Sequence, residues 1–214
     1  MKKVVFDDPH RKKHFAFFNH MNHPHFSITA QVEVTLLLDF IRTNQLPLTY
    51  SLVYLLSDAA NSVKEFRWRI RNNEVVEHEV AHPSFTVPTE NTDVFSFCTV
   101  DFRNNLQDFI VEAHKVKTEM MKSPSMEDEP ERDDFFFMSA IPWISFTSIQ
   151  HAMHFHPHDS VPRISWGKFF EQENKTMMPL SVQAHHALVD GRHMGMYFEK
   201  VQELFLYPKK YLDF

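Results

Sequence analysis

Hydrophobic and polar positions alternate along this chain with two different periods. A period of two is typical of half-buried strands, and a period near 3.6 is typical of amphipathic helices. The strand-like segments are residues 26–34, 92–102 and 135–149. The helix-like segments are residues 10–21, 35–45, 48–63 and 105–123, and a last helix begins near Gly191 with Met194, Phe198, Val201 and Phe205 on one stripe. Strands and helices are therefore interspersed along the chain.

Two further segments are typical of hairpins. Residues 66–80 predict two strands around Asn72 and Asn73, because asparagine tolerates the left-handed conformation of a tight turn. Residues 163–170 and 177–189 predict a second antiparallel pair. We therefore predict one α/β domain over residues 1–214, a two-layer sandwich in which helices pack against a mixed, largely antiparallel sheet. Residues 123–134, rich in prolines and acids, predict a solvated loop.

Composition excludes several classes of function. The chain has only three glycines, so it can build neither a G-x-G-x-x-G turn nor a phosphate-binding P-loop. Its net charge of −6 argues against nucleic acid as a partner. The single cysteine, Cys98, excludes an internal disulfide, and "FSFCTV" predicts a packed strand residue rather than a nucleophile. No apolar run is typical of a signal peptide or a membrane helix, so we expect a cytoplasmic protein with no membrane partner.

The segment "HHALVDG" at residues 185–191 carries the main candidate chemistry. Alternation along the preceding strand places His186 on the apolar face with Val182 and Ala184, and His185 on the polar face. Burial would keep His186 neutral and able to accept a proton as a general base. Adjacent histidines on opposite faces cannot readily ligate one metal ion. The alternative is a structural histidine followed by Asp190 as a helix cap, with Gly191 allowing a sharp turn.

The same segment resembles the H-H-x-x-x-D-G signature of coenzyme A-dependent acyltransferases, and in particular that of the chloramphenicol acetyltransferases. Other blocks are similar to that family in the same order. They are "HRKKHF" (10–15), "EFRWRIRNNEVV" (65–76), "FSFCTV" (95–100), "IPWISFTS" (141–148), "MMPLSVQAHHALVDGRHMG" (177–195) and "VQEL" (201–204).

The resemblance implies an O-acetyltransferase that uses acetyl-CoA as co-substrate and a small hydroxylated acceptor such as chloramphenicol, with antibiotic resistance as a possible role. It implies that His186 is the catalytic base and that Ser148 stabilises the tetrahedral oxyanion. It also implies that Asp190 organises the site through a salt bridge to Arg11. Ser165 matches a residue lining the transition-state region.

The resemblance further implies a homotrimer with active sites between subunits, the base coming from one subunit and much of the acceptor pocket from its neighbour. Ser165 and Lys168 are the expected contacts to the co-substrate, since a chain with so few glycines must meet the CoA phosphates with side chains.

Several positions depart from the family pattern. Pro9, Val189 and Arg192 replace its usual tryptophan, cysteine and phenylalanine, and none of these changes removes a reacting group. The acceptor-site segments are unusually rich in histidine, at residues 21–29 and 149–162. His151, His154, His156 and His158 suggest a metal site, but no cysteine or carboxylate follows a known zinc spacing, so a polar pocket wall is favoured and no metal is expected. The sequence therefore leaves three alternatives for the identity of the acceptor: chloramphenicol, another hydroxylated xenobiotic or an unrelated molecule.

Two other functions fit parts of the pattern. A dihydrolipoyl acyltransferase core shares the H-x-x-x-D-G residues, but such chains normally carry lipoyl modules and flexible linkers that this sequence lacks. A non-catalytic homologue could bind an aromatic ligand, yet a binder would have no need of His186, Ser148, Arg11 and Asp190 together.

Overall fold

A computed structural model of the chain describes residues 1–89, 93–103, 105–124, 132–157 and 159–212. The helices are α1 (Pro9–Asn19), α2 (Thr35–Thr43), α3 (Leu48–Ser62), α4 (Leu106–Lys122), α5 (Gly191–Leu206) and α6 (Pro208–Tyr211). The strands are β1 (Lys2–Val4), β2 (His25–Glu33), β3 (Trp68–Arg71), β4 (Glu74–Glu77), β5 (His82–Pro88), β6 (Phe95–Thr99), β7 (Phe135–Ile141), β8 (Arg163–Gly167), β9 (Phe170–Gln172) and β10 (Lys175–His185). No described helix is both long and apolar enough to cross a membrane.

Seven strands form the main sheet, in the order β2-β10-β8-β7-β5-β6 with β9 paired to β10. Strand β7 is parallel to both of its neighbours, β5 and β8, and the remaining pairs are antiparallel. A smaller three-stranded sheet has the order β1-β4-β3. The prediction of a mixed, largely antiparallel sheet is therefore confirmed.

One face of the main sheet and the helices share a single hydrophobic core. The sheet contributes Val182 and Ala184 from β10 and Ile164 from β8, all fully buried. The helices contribute residues such as Leu56 from α3 and Val201 from α5. Burying this apolar surface is the dominant favourable term in folding, and it fixes one face of β10 against the helices.

The other face of the main sheet, which we call the polar face, carries polar side chains on β2, β8 and β10. Hydroxyl groups pair across neighbouring strands, with Thr29 donating to Ser181 at 2.9 Å and Thr99 to Ser84 at 2.9 Å. Residues directly opposite each other in an antiparallel pair lie on the same face, so these pairs mark the side of the sheet away from the helices. The strand β10 thus separates an apolar layer from a polar one.

Most of the predicted elements are observed, including the hairpin at Asn72 and Asn73, whose φ angles are 51° and 61°. The predicted strand 135–149 is too long: β7 ends at Ile141, because Pro142 cannot donate to the sheet. Strands β1 and β5 were not predicted. Much of the predicted loop 123–134 lies outside the described residues.

Candidate active site

The strand β10 places the two histidines on opposite faces, as predicted. Its register pairs His185 with His25 and Ala184 with Phe26 of β2. The His186 ring lies 4.3 Å from that of Phe26, on the apolar side, while the His185 ring lies 5.0 Å from that of His25. The backbone N–H of His186 donates to the carbonyl of Pro24 at 2.8 Å, so the turn after the strand is tied to the start of β2.

The structure buries His186 less than the sequence predicted. His185 is the enclosed histidine, with 1% of its surface exposed, and His186 is half-buried. The reason is position: β10 ends at His185, so His186 lies one residue beyond the sheet. There the ring of Phe18 from α1 stacks on it at 3.9 Å. A half-buried ring at a strand end can be reached by a substrate, which a core histidine cannot.

One hydrogen bond fixes which nitrogen of His186 can act. Its Nδ1 lies 3.1 Å from the carbonyl oxygen of Val189. A carbonyl oxygen only accepts, so Nδ1 carries the proton, and in the neutral ring Nε2 has the lone pair. Phe18 and Phe26 pack on the ring and hold its plane. The imidazole is therefore oriented, with Nε2 able to take a proton.

Arg11 and His14 of α1 lie behind this ring. Arg11 Nη2 donates to the carbonyl of Leu188 at 2.7 Å, and Nη1 donates to His14 Nδ1 at 2.6 Å. Because a guanidinium has only donors, His14 accepts at Nδ1 and is neutral. Burial and the nearby Arg11 charge both lower the pKa of His14. Its ring then meets that of His186 edge-on at 5.6 Å.

Asp190 begins helix α5 as its N-cap. Its side chain accepts from the backbone N–H of Arg192 at 2.8 Å and of His193 at 3.4 Å. Burial acts to raise its pKa, but His193 and the two N–H groups hold the pKa of Asp190 below its usual value. Among the described side chains, Asp190 and Arg11 do not form the expected ion pair, because the Asp190 carboxylate caps the helix. Asp190 still acts on Arg11 through its charge, opposing the burial that lowers the arginine's pKa.

The expected role of Gly191 is also wrong. No glycine of the chain has a positive φ, and a Cβ added at Gly191 would meet no atom within 4 Å. Gly191 is the first residue of α5, and Asp190 makes the turn in an extended conformation with φ of −124° and ψ of −177°. The turn therefore needs the capping side chain rather than a glycine.

Ser165 lies on the polar face, opposite Ser181 of β10. Its hydroxyl is 2.9 Å from Nε2 of His151, and the backbone N–H of His151 donates to Oε1 of Gln183 at 3.1 Å. Burial and the nearby Arg163 lower the pKa of His151. In one chain, Ser165 and the ring of His186 are thus on opposite sides of the sheet.

Ser148 and Lys168 are both exposed. Ser148 lies in the segment between β7 and β8, which is anchored where Lys168 N–H donates to the carbonyl of Ile144 at 2.9 Å. A Cβ at Gly167 would lie 2.7 Å from that carbonyl, so this approach requires glycine. No contact joins Ser148 or Lys168 to His186 in the described part of the chain.

Two cavities lie along the polar face. The first, about 170 Å³, has His23, His25, His151 and His154 in its lining, and we call it the histidine cavity. The second, about 440 Å³, has Phe95, Phe97, Phe137, His151 and Arg163 in its lining, and we call it the aromatic cavity. Within the described ranges, no three His, Cys, Asp or Glu side chains are placed to hold a metal ion.

The model of the chloramphenicol acetyltransferase family matches residues 1–202. The chain belongs to this family. It is 28% identical to a chloramphenicol acetyltransferase of Klebsiella sp over 194 residues, covering 91% of this chain and 89% of the relative. It is 28% identical to one of Bacillus pumilus over 214 residues, covering 100% and 97%.

Solved structures show the same fold. A chloramphenicol acetyltransferase has a TM-score of 0.81 at 22% identity, covering 96% of this chain and 100% of that one. The dihydrolipoamide acetyltransferase of Azotobacter vinelandii has a TM-score of 0.71 at 15% identity, covering 97% and 93%. The predicted acyltransferase fold is confirmed by both.

Sequence reasoning missed three residues that contact the candidate base. They are His14, Phe18 and Phe26. A signal for two of them was present in the predicted helix 10–21: Arg11, His14 and Phe18 follow an i, i+3, i+7 spacing, which lies on one face of a helix. Phe26 could be found by pairing β2 with β10, since it lies opposite Ala184.

Proposed function

We propose that this chain transfers the acetyl group of acetyl-CoA to a hydroxyl group of a small acceptor, with chloramphenicol as the reference acceptor. The family of the chain supports this reaction. The observation that carries the proposal is the hydrogen bond from His186 Nδ1 to the carbonyl of Val189, which leaves Nε2 as the nitrogen that can accept a proton. We expect the reaction in the cytoplasm, with antibiotic resistance as its role.

In the proposed reaction, His186 Nε2 takes the proton of the acceptor hydroxyl as its oxygen attacks the thioester carbonyl. The tetrahedral intermediate then collapses, the C–S bond breaks, and His186 returns the proton to the leaving CoA sulfur. A positioned base of this kind accelerates a reaction by about 10²–10⁴-fold. Arg11, His14 and Phe18 keep the ring in place, so the base is held in one orientation before substrate arrives.

We further propose that Ser148 donates to the oxyanion, that Ser165 lines the same region, and that Lys168 meets the CoA phosphates. Ser165 is on the sheet face opposite the His186 ring, which favours a site shared by two copies of the chain. Trp143 and Ile144, in the same segment as Ser148, are 80% and 60% exposed, and exposed apolar side chains of this kind are typical of subunit contacts. A homotrimer, with the base from one subunit and the acceptor pocket from its neighbour, meets these requirements.

Release of free CoA thiol from acetyl-CoA in the presence of chloramphenicol tests this function. We expect turnover by the unchanged protein and a loss of about 10²–10⁴-fold in kcat for His186→Ala, with the thermal unfolding midpoint preserved. The exposed His20→Gln variant is the matched control. Undiminished acetylation by His186→Ala would remove His186 from the mechanism.

A further inference from the structure

The fold brings two histidine-rich segments together near the end of β10. Residues 21–25 end at the first residue of β2, and residues 151–156 precede β8. His156 Nε2 lies 3.3 Å from Oδ1 of Asn22, which joins the two segments, and the ring of His23 lies 6.0 Å from that of Phe155. The histidine cavity lies between them, and its wall includes Pro24, whose carbonyl holds the backbone of His186. The cavity therefore lies near the end of β10 but on the sheet face opposite the His186 ring, as a site that takes its base from a neighbouring subunit requires.

Polar contacts hold the wall of this cavity in place. Gln183, 3% exposed, accepts from the backbone N–H of His151 and donates through Nε2 to Met153 Sδ at 2.7 Å. The hydroxyl oxygen of Ser165 lies 2.9 Å from Nε2 of the His151 ring and holds that ring in place. His151 also lines the aromatic cavity. The two cavities thus share one fixed side chain and form adjacent compartments.

The electrostatic character of these compartments is unlike that of the whole chain. The chain has 28 acidic residues against 22 lysines and arginines. Yet the described linings of the two cavities include four histidines and Arg163, and no aspartate or glutamate. Asp159 lies close by but is paired with Arg163 at 2.6 Å and 3.0 Å. The Arg163 charge is thereby neutralised, and imidazole N–H groups with no lining carboxylate favour a bound anion.

We infer that the acceptor is an aromatic alcohol that also carries a carboxylate, with its ring in the aromatic cavity and its carboxylate in the histidine cavity. The inference rests on the proposed acetyl transfer and names the acceptor class for it. The volume of about 170 Å³ suits a carboxylate with a few water molecules, and the aromatic cavity of about 440 Å³ suits a substituted ring. Charge-assisted hydrogen bonds to the carboxylate would distinguish this acceptor from a neutral one.

A matched pair of acceptors tests the inference: 4-(hydroxymethyl)benzoate and 4-(hydroxymethyl)benzamide, which differ only in the charge of the distal group. Two measurements are made with each, thiol release from acetyl-CoA and calorimetric binding without acetyl-CoA. We expect the carboxylate to be preferred by about tenfold or more in kcat/KM and in affinity. The double variant His23→Gln/His154→Gln removes two exposed lining histidines and should abolish that preference by lowering kcat/KM and affinity for the benzoate to those for the benzamide. His114→Gln, an exposed histidine on α4, is the control.

The two measurements separate this inference from the proposed function. Preferential binding of the carboxylate that depends on His23 and His154, without any acetylation, would support the anion subsite and count against the transfer reaction. Acetylation of both acceptors with equal kcat/KM, unchanged in the double variant, would overturn the inference and leave the transfer reaction standing. A preference retained in the double variant would also overturn it, because the carboxylate would then be recognised elsewhere.

Discussion

Arg11 donates a hydrogen bond to the carbonyl oxygen of Leu188 at 2.7 Å. This contact joins α1 to the turn that follows the candidate base, although the two residues are 177 positions apart in the chain. Arg11 also donates to His14, whose ring meets His186 edge-on. One guanidinium therefore holds both the backbone of the turn and a side chain against the base, and its role is positional.

Replacing Arg11 should consequently lower the rate of acetyl transfer more than substrate binding. We expect Arg11→Gln to reduce kcat by roughly 10–10²-fold with little change in KM for acetyl-CoA, because a small displacement of a reacting group has effects of that size. Steady-state kinetics of thiol release measures both constants.

The neighbouring Lys12 provides the matched control for Arg11, since it is exposed on the same helix. Lys12→Gln removes one positive charge, as Arg11→Gln does, and should leave kcat unchanged. Equal losses in the two variants would mean that Arg11 acts through the general charge of α1 rather than through its two hydrogen bonds.

The alternation of β10 was enough to predict which face each histidine occupies. Ala184 and His186 follow the apolar period, and the register with Phe26 agrees. The exposure of the two histidines could not be predicted in this way, because it depends on what packs over each face. His185 is enclosed on the polar side of the sheet, whereas His186 lies past the end of the strand.

Partners that come from distant parts of the chain were equally beyond prediction. The sequence indicated that Asp190 could be either a helix cap or an ion-pair partner, and the structure uses its side chain for the cap. Contacts of Arg11 with Leu188 and of Ser165 with His151 require the tertiary fold. The family resemblance predicted the residue types, and the fold determines which of them meet within one chain.

Cys98 should be unreactive in the folded protein. Its side chain is fully buried in the core, and burial raises the pKa of its thiol to about 12. At pH 8 only about one thiol in 10⁴ would then be ionised, and the thiolate is the reactive form. A thiol reagent should label no cysteine in native buffer and one per chain in denaturant. Rapid labelling without denaturant would contradict this, and would also interfere with the thiol-release assay.

Asp133 should make stability depend on pH in the acidic range. Burial alone would raise its pKa, but hydrogen bonds from Arg71 and from His78, the latter at 2.8 Å, hold the pKa of Asp133 well below its usual value. The ionised form is therefore stabilised in the folded state. This contribution is complete above the unfolded pKa of about 4 and is lost as the pH falls through the folded value.

The free energy of unfolding, measured against pH for the unchanged chain and for Asp133→Asn, tests this linkage. The difference between the two should be largest near neutral pH and should shrink as the pH falls below about 4. Asp39→Asn alters an exposed carboxylate whose contact to Arg42 is 3.5 Å long, and it should show a small difference throughout. A difference for Asp133→Asn that stays constant with pH would rule out the linkage.

An active site shared between subunits should allow two inactive variants to complement each other, which a site within one chain would not. If His186 acts with Ser148 of a neighbouring subunit, then His186→Ala and Ser148→Ala chains are each nearly inactive alone but complement each other in mixed trimers. Each site draws its base and its serine from two independently chosen subunits, so equal co-expression should restore about a quarter of the unchanged activity. Mixing the two variants after folding, without subunit exchange, should restore none and is the control.

The size of the assembly must agree with that result. Light scattering should give a mass about three times that of the 25.4 kDa chain. Restored activity from a trimer would support sites between subunits. Ser165 and the His186 ring lie on opposite faces of the sheet, so a site that contains both must draw them from two subunits. An active monomer, or a trimer in which the two variants fail to complement, would instead require His186 and Ser148 to act within one chain. The segment between β7 and β8 would then have to move towards the end of β10.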